Sequence, residues 1–172
     1  MRELGIPAGF FMPGFYMTNL PGGMFRAAED KTWTLGMPMP STAPIPMYAT
    51  ADTGKYVKAM VLHRDQVLGR RILAATAYMT GDEIVAGFRR VFPAAGATAK
   101  HFEVPKDVFL AGMTSRGSPD FVAEELYENM RLMPDFGYYG GDSLDWTHSL
   151  IEDELTTWEQ VAKEAPAFAG LN

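Results

Sequence analysis

The chain has 172 residues, 47% hydrophobic, 12% aromatic and 21% charged, which is typical of a globular domain rather than a disordered segment. It contains no cysteine, which excludes disulfide bonds, thiolate nucleophiles and zinc sites built on sulfur. The net charge of -6 argues against tight nucleic-acid binding, because that needs a basic surface. The charge is uneven: residues 1–102 have a balance of +4, whereas residues 103–172 have a balance of -10.

Two long uncharged stretches bear on the location of the protein. Gly5 to Phe25 contains three prolines and five glycines, so it predicts neither a membrane helix nor a signal peptide. Thr32 to Ala51 is also uncharged, and its four prolines predict an extended loop. We therefore expect a soluble intracellular protein in the cytoplasm, with the nucleus as a further location.

The first predicted elements are a strand, a helix and a second strand. The apolar run Ile6 to Met12 predicts a buried strand of a parallel sheet. Asp52 is placed to cap a helix over Thr53 to His63, and Arg70 to Tyr78 predicts another strand. The inward face of that first helix is predicted to carry Tyr56, Val57, Met60 and Val61.

Helices dominate the predicted second half. Thr80 to Glu83 has the sequence of a capping box, which opens a helix with Ile84, Val85, Phe88 and Val91 inward. A strand is predicted at Thr98 to Val104, followed by a short helix that begins at Pro105. A longer helix is predicted from Ser118-Pro119 to about Met133, and its buried face consists of Val122, Leu126, Met130 and Met133. A second capping box, Thr156 to Glu159, begins the last predicted helix, which ends before Pro166.

Several common catalytic and binding motifs are missing from the sequence. Neither a P-loop nor a G-x-G-x-x-G turn is present to hold phosphates. The three histidines are widely spaced, so we predict no metal site. No tyrosine is followed four positions later by lysine, which leaves no candidate for the Tyr–Lys pair of ordinary short-chain reductases and no catalytic residue to name.

The segment Pro13 to Leu20 is the best candidate for a binding site. A strand that ends in Pro-Gly and then turns places side chains at the carboxyl edge of a sheet, where open α/β sheets bind ligands. Aromatic rings there can flank a planar ring, and the Asn19 amide can hold a carboxamide or carbonyl group. The alternative is a turn with two core aromatic residues, Phe15 and Tyr16.

The ordered set of short motifs resembles the second half of NmrA-like proteins, which are atypical relatives of the short-chain dehydrogenases. The likeness covers nearly the whole chain and is closest in style to fungal members. The motifs are RELGIP and PGFYMTNL near the start, ADTGKYV at residue 51, ATAYMTGDEI at residue 75, FGYYGG at residue 136 and TTWE at residue 156.

The resemblance implies an α/β fold, the C-terminal part of an NmrA-like Rossmann fold. Residues 1–20 would be the last part of the Rossmann-type sheet with the nicotinamide-side segment, and residues 21–172 a mainly helical substrate-side lobe with a few short strands. The family's glycine-rich first half has no counterpart in this sequence. The cofactor would be NADP or NAD, which this chain alone is expected to bind weakly. The implied cofactor-binding residues are Phe15, Tyr16, Met17, Thr18 and Asn19, and the implied substrate pocket contains Trp33, Tyr138 and Tyr139.

Three functions are consistent with this resemblance. The first is an NAD(P)(H)-linked oxidoreductase, or an incomplete form of one, acting on a small hydrophobic metabolite, in fungal secondary metabolism for example. The second is a non-enzymatic, dinucleotide-sensing transcriptional regulator that binds a protein partner, for which the acidic second half is suited. The third is a stand-alone remnant that covers its first strand by forming a homodimer.

Overall fold

The computed structural model describes residues 4–172, which fold into a mixed arrangement of strands and helices. Residues 1–3, which belong to the predicted sheet segment 1–20, lie outside the described residues. The strands of the described part are β1 (Phe10–Pro13), β2 (Phe15–Tyr16), β3 (Phe25–Ala27), β4 (Trp33–Met37), β5 (Ile45–Tyr48), β6 (Arg71–Ala74), β7 (Ala77–Met79) and β8 (Lys100–Glu103).

The helices are concentrated after residue 50, as predicted. Short 3-10 turns also occur, including one at Met17–Asn19 directly after β2. The α-helices are α1 (Thr53–Leu62), α2 (Arg64–Val67), α3 (Gly81–Val91), α4 (Lys106–Thr114), α5 (Asp120–Phe136), α6 (Asp145–Ser149) and α7 (Trp158–Glu164). None of the helices in residues 4–172 is both long and apolar enough to cross a membrane.

The described strands form three small sheets. The first pairs β1 with β6, the second has the order β2-β5-β7, and the third has the order β3-β4-β8. The β1/β6, β2/β5 and β4/β8 pairs are parallel, and the other two pairs are antiparallel. The parallel pairs confirm the α/β class. The first strand begins at Phe10 rather than Ile6, and it is half-buried rather than covered on both faces.

The proline-rich segment was wrongly predicted to be a loop. It contains β4 and β5, and both strands contribute buried residues to the core. Three of its four prolines lie between the two strands, where they interrupt no pairing. The fourth, Pro46, lies within β5 opposite Tyr78 of β7 and is paired on that side only, because pairing of β5 with β2 begins at the next residue, Met47. Prolines at such positions are compatible with strands.

The predicted long strand over Arg70 to Tyr78 is two strands in different sheets. The chain turns sharply at Ala75, whose N–H donates to the carbonyl oxygen of Leu73 at 3.1 Å. The next N–H, that of Thr76, donates to the carbonyl oxygen of Met47 at 2.7 Å. The apolar run predicted the extended backbone correctly, but the change of sheet depends on contacts with a distant strand.

The main core is built around α3, whose start and inward face are predicted correctly. Thr80 and Glu83 form the predicted capping box, and Ile84, Val85 and Phe88 are buried. The Phe88 ring lies 4.4 Å from the ring of Phe25, in an edge-to-face arrangement that favours aromatic packing. The rings of Trp33, Phe92 and Phe168 complete this aromatic cluster.

The start of α1 is held by a buried carboxylate that does not cap the helix as predicted. The Asp52 side chain is fully buried and makes no capping hydrogen bond. It accepts hydrogen bonds from the N–H and hydroxyl of Thr156 at 2.7 and 2.8 Å, and pairs with Lys55 at 2.6 Å. Because Thr156 is engaged in this way, the capping box of α7 is formed one residue later, by Thr157 and Gln160.

The inward faces of α1 and α5 differ in part from their predicted faces. In α1, Tyr56 and Ala59 are buried, whereas Val57 and Val61 are exposed. In α5, Met130 and Met133 are buried as predicted, but Leu126 is 39% exposed. These helices pack on fewer neighbours than their apolar content indicates.

The packing of β8 against the start of α3 makes stability depend on pH. His101 lies against Gly81, and its Nε2 atom is buried with no hydrogen-bond partner in the described structure. Burial lowers the pKa of His101 below 6.5, although Asp82 and Glu103 oppose the shift. The His101 side chain therefore binds a proton more readily in the unfolded chain than in the folded one. As a result, the free energy of unfolding is highest above pH 6.5 and falls as the pH drops below that value.

We therefore expect His101→Phe to reduce this acid sensitivity. The free energy of unfolding, measured by urea titration at pH 7.5 and pH 5, should fall less on acidification in the variant than in the wild type. An equal fall in both proteins would show that His101 does not titrate in this way.

Candidate functional site

The candidate site lies where β1 ends and β2 begins. Gly14 joins the two strands, and its N–H donates to the carbonyl oxygen of Ala74 at the end of β6, at 2.9 Å. The junction lies at the carboxyl ends of the parallel strands β1 and β6, and the turn Met17–Asn19 follows the carboxyl end of β2, which is parallel to β5. That is the edge at which open α/β sheets bind ligands.

The junction has no room for a side chain at residue 14. A Cβ atom on Gly14 would lie well inside van der Waals contact of the Pro46 carbonyl oxygen and 3.1 Å from the Tyr139 hydroxyl. Glycine therefore allows β1 to pass close to the backbone of β5. This close approach fixes where the following segment leaves the sheet.

The five predicted cofactor-binding residues divide into two sets. Phe15 and Met17 are buried in the main core. Tyr16, Thr18 and Asn19 are exposed. The buried pair anchors the segment, and the exposed side chains present two hydroxyl groups and an amide to solvent. These groups can donate to and accept from a planar polar ligand.

Tyr138 and Tyr139 lie at the same edge and hold its backbone. The Tyr138 hydroxyl donates to the carbonyl oxygen of Pro13 at 3.1 Å, and the Tyr139 hydroxyl donates to that of Met12 at 2.9 Å. Burial raises the pKa of both hydroxyls, and the neighbouring Tyr16 adds to the rise for Tyr138. Both tyrosines therefore stay protonated and fix the end of β1.

Trp33, the third residue of the predicted substrate pocket, lies in the aromatic cluster of the main core. Its ring centroid is 5.2 Å from that of Phe88 and 5.3 Å from that of Phe168. The structure thus brings Tyr138 and Tyr139 to the candidate site, while Trp33 packs against core rings. A contact between any of the three and a substrate stays a prediction.

Two tyrosines that the sequence did not predict as site residues lie beside the site. The ring of Tyr48 at the end of β5 lies 5.6 Å from that of Tyr16, and its hydroxyl is hydrogen-bonded to the Thr53 hydroxyl. Tyr56 in α1 packs 5.9 Å from Tyr48. Tyr48 was not predicted at the site because the prolines before it indicated a loop, so the strand β5 was not recognised.

The Tyr56 hydroxyl is buried without a hydrogen-bond partner in the described structure. Burial, reinforced by Asp52 and Tyr48, raises the pKa of this hydroxyl. An unsatisfied buried polar group costs free energy, so its removal should stabilise the fold. We expect Tyr56→Phe to raise the free energy of unfolding by about 1 kcal/mol. Urea denaturation measures this, and a loss of stability would instead indicate a bridging water molecule.

Two cavities of the described residues are bordered by side chains outside this edge. One of about 380 Å³ is bordered by Arg70, Arg71, Asp142 and Trp146, and another of about 500 Å³ by Asp82, Arg89, His101 and Glu103. In residues 4–172, no three histidine, aspartate or glutamate side chains come together to hold a metal ion.

Comparison with known proteins agrees with this architecture. NmrA, a negative transcriptional regulator solved in complex with NADP, has a TM-score of 0.69 at 21% identity, and its complex with NAD has a TM-score of 0.68 at 21% identity. A nucleoside-diphosphate-sugar epimerase from Staphylococcus aureus has a TM-score of 0.66 at 19% identity. Each match covers 95% of this chain and 54% of the matched chain, so this chain spans about half the length of those proteins.

At these identities the structural matches show the fold alone. A search of curated proteins found no match. The sequence model of the NmrA-like family, in contrast, matches residues 1–162, which is most of the chain. The chain therefore belongs to the NmrA-like family.

Proposed function

We propose that the chain is part of an NAD(P)(H)-linked oxidoreductase in which the segment Phe15 to Asn19 faces the nicotinamide ring. The observation that supports this most strongly is the exposed set Tyr16, Thr18 and Asn19 at the carboxyl ends of parallel strands. The relatives solved with NADP and NAD support the choice of cofactor. The substrate would be a small hydrophobic metabolite.

The anchoring of the segment suits this role. Hydride transfer needs a nicotinamide ring held in one orientation, and the protein supplies that positioning. Buried Phe15 and Met17 fix the backbone on both sides of Tyr16. The Asn19 amide can then pair with the carboxamide of the nicotinamide, and the exposed Tyr16 ring can lie against the flat ring system.

A second candidate function is a dinucleotide-sensing regulator without catalysis. The observation that favours it is the state of the neighbouring hydroxyls. Those of Tyr138 and Tyr139 donate to backbone carbonyl oxygens, and that of Tyr48 is hydrogen-bonded to Thr53. Groups engaged in this way position the backbone rather than transfer protons. In this case NAD(P) would be bound but not consumed, in the cytoplasm or the nucleus.

Saturation-transfer NMR with NADPH tests the shared part of both candidates. We expect saturation to reach the nicotinamide protons more strongly than the adenine protons, with weak affinity overall. Asn19→Ala should reduce the nicotinamide signal at least threefold, whereas the matched control Asn129→Ala, an exposed asparagine on α5, should leave it unchanged.

Two outcomes would contradict the proposal. The first is a signal confined to the adenine protons, and the second is an equal loss from both asparagine variants. Consumption of NADPH with a panel of hydrophobic enones, imines and aldehydes, followed by absorbance, would separate the oxidoreductase from the regulator. Binding without consumption favours the regulator.

A further inference from the structure

The two helices α4 and α5 form a hairpin that joins the main core through Met130 and Met133 of α5. No residue of α4 is buried, and its main packing partner is α5. Phe109 lies 6.0 Å from Tyr127, and the Lys106 ammonium lies 4.8 Å from the Tyr127 ring. These contacts occupy the face of α5 turned toward α4, so the opposite side of α5 is presented to solvent.

A stripe of exposed side chains follows this outer side of α5. Phe121 is 73% exposed, Leu132 is 40% exposed and Phe136 is 76% exposed. At 3.6 residues per turn, these three residues share one helical face with Glu125 and Glu128. We call Phe121, Glu125, Glu128, Leu132 and Phe136 the outer stripe. Two phenylalanines this exposed, about 22 Å apart along one helix, are unusual on a surface without a partner.

The charge of the outer stripe defines the chemistry of that partner. Glu128 shares Lys106 with Glu124, at 3.7 and 2.9 Å respectively, and all three side chains are about half exposed or more. Glu125 takes part in none of the ion pairs found among residues 4–172. The negative charge of Glu125 and Glu128, between Phe121 and Phe136, is therefore only partly neutralised. A partner that binds the outer stripe would have to be cationic opposite these two carboxylates.

We propose that the outer stripe binds a basic amphipathic helix of another protein. Apolar side chains of that helix would cover Phe121 at one end and Leu132 with Phe136 at the other. Its lysines or arginines would face Glu125 and Glu128. Helix-on-helix docking of this kind is specified by apolar anchors at helical spacing and by charge complementarity. The proposal does not depend on whether the chain binds a dinucleotide.

Charge argues against two other occupants. In a two-fold contact that brought Phe121 onto Phe136 of a second copy, Glu128 would lie at the centre, so two like charges would meet. An anionic membrane surface would be repelled by the same carboxylates. A basic helix is the partner that satisfies both the apolar ends and the acidic middle.

A designed peptide tests the proposal directly. The probe is a fluorescein-labelled 15-residue helix with leucines at both ends of one face and lysines between them, and its binding is followed by fluorescence anisotropy at low salt. We expect the double variant Glu125→Lys/Glu128→Lys to weaken binding at least tenfold. The control Glu29→Lys/Glu164→Lys, which changes the same charge at other exposed sites, should change it less than twofold.

The apolar ends require their own pair of variants. Phe121→Ala/Phe136→Ala should weaken binding at least fivefold, whereas Val61→Ala/Leu62→Ala, which truncates other exposed apolar residues, should not. Circular dichroism checks that each variant is folded. Equal losses from test and control variants would overturn the proposal. So would a dimer of the chain that Phe121→Ala/Phe136→Ala dissociates, or sedimentation with neutral lipid vesicles that depends on the outer stripe.

Discussion

Replacing Asp52 with alanine should lower the free energy of unfolding by about 3–5 kcal/mol, the range found when a buried ion pair loses one partner. The carboxylate is fully buried and accepts two hydrogen bonds from Thr156. It also pairs with Lys55, whose ammonium donates a further hydrogen bond to the carbonyl oxygen of Glu154 at 2.6 Å. The variant would leave the Thr156 donors unsatisfied and detach the segment before α7 from the start of α1.

Urea denaturation measures this loss of stability, and two further variants serve as comparisons. Asp65→Ala, which removes a carboxylate 97% exposed beside Arg64, should cost less than about 0.5 kcal/mol because exposed pairs contribute little. Asp52→Asn keeps an acceptor for Thr156, so it should fall between the two. If Asp52→Ala were as stable as Asp65→Ala, the buried network would not hold the two segments together.

Gly14→Ala should both destabilise the protein and weaken contact with the nicotinamide ring. The added methyl group would meet the Pro46 carbonyl oxygen, which belongs to the backbone and cannot rotate away. Overpacking against a rigid neighbour costs about 3 kcal/mol. Since the junction must shift, the Phe15 to Asn19 segment would also move, and the saturation transfer from the protein to the nicotinamide protons should fall several-fold.

A second glycine provides the matched control for this substitution. Gly54 lies in the first turn of α1 with no atom within 4 Å of an added Cβ. Gly54→Ala should stabilise the protein by about 0.5–1 kcal/mol, because alanine is the better helix former. The two variants introduce the same methyl group and are expected to change the urea midpoint in opposite directions. A Gly14→Ala protein as stable as the wild type would mean that β1 and β5 can separate freely.

Local signals predicted the elements that depend on local contacts. The capping box of α3 needs only Thr80 and Glu83, so the sequence was sufficient. The strands β4 and β5 were missed because prolines at the connection outweighed the apolar residues on either side. Asp52 has the residue type and position of a helix cap, yet its carboxylate bonds to Thr156, 104 positions away, and no short window of sequence contains that information.

The candidate site was predictable in place but not in detail. The Pro13-Gly14 turn and the family resemblance pointed to a segment that the structure places at the carboxyl edge of β2. They could not show that Phe15 and Met17 are buried and only Tyr16, Thr18 and Asn19 are exposed, because that division depends on how β2 packs against β5. Tyr138 and Tyr139 were predicted to line a substrate pocket, which stays a prediction, and the structure shows their hydroxyls donating to backbone carbonyl oxygens at the end of β1.

Whether the segment Phe15 to Asn19 faces the nicotinamide ring is tested most directly by an amide ¹H–¹⁵N NMR titration of the chain with reduced nicotinamide mononucleotide, which carries the nicotinamide but no adenine. We expect the largest chemical-shift changes at Tyr16, Thr18 and Asn19, with smaller changes at Tyr138. Changes confined to the cavity beside Arg70 and Asp142, or none at residues 15–19 at millimolar ligand, would contradict this expectation.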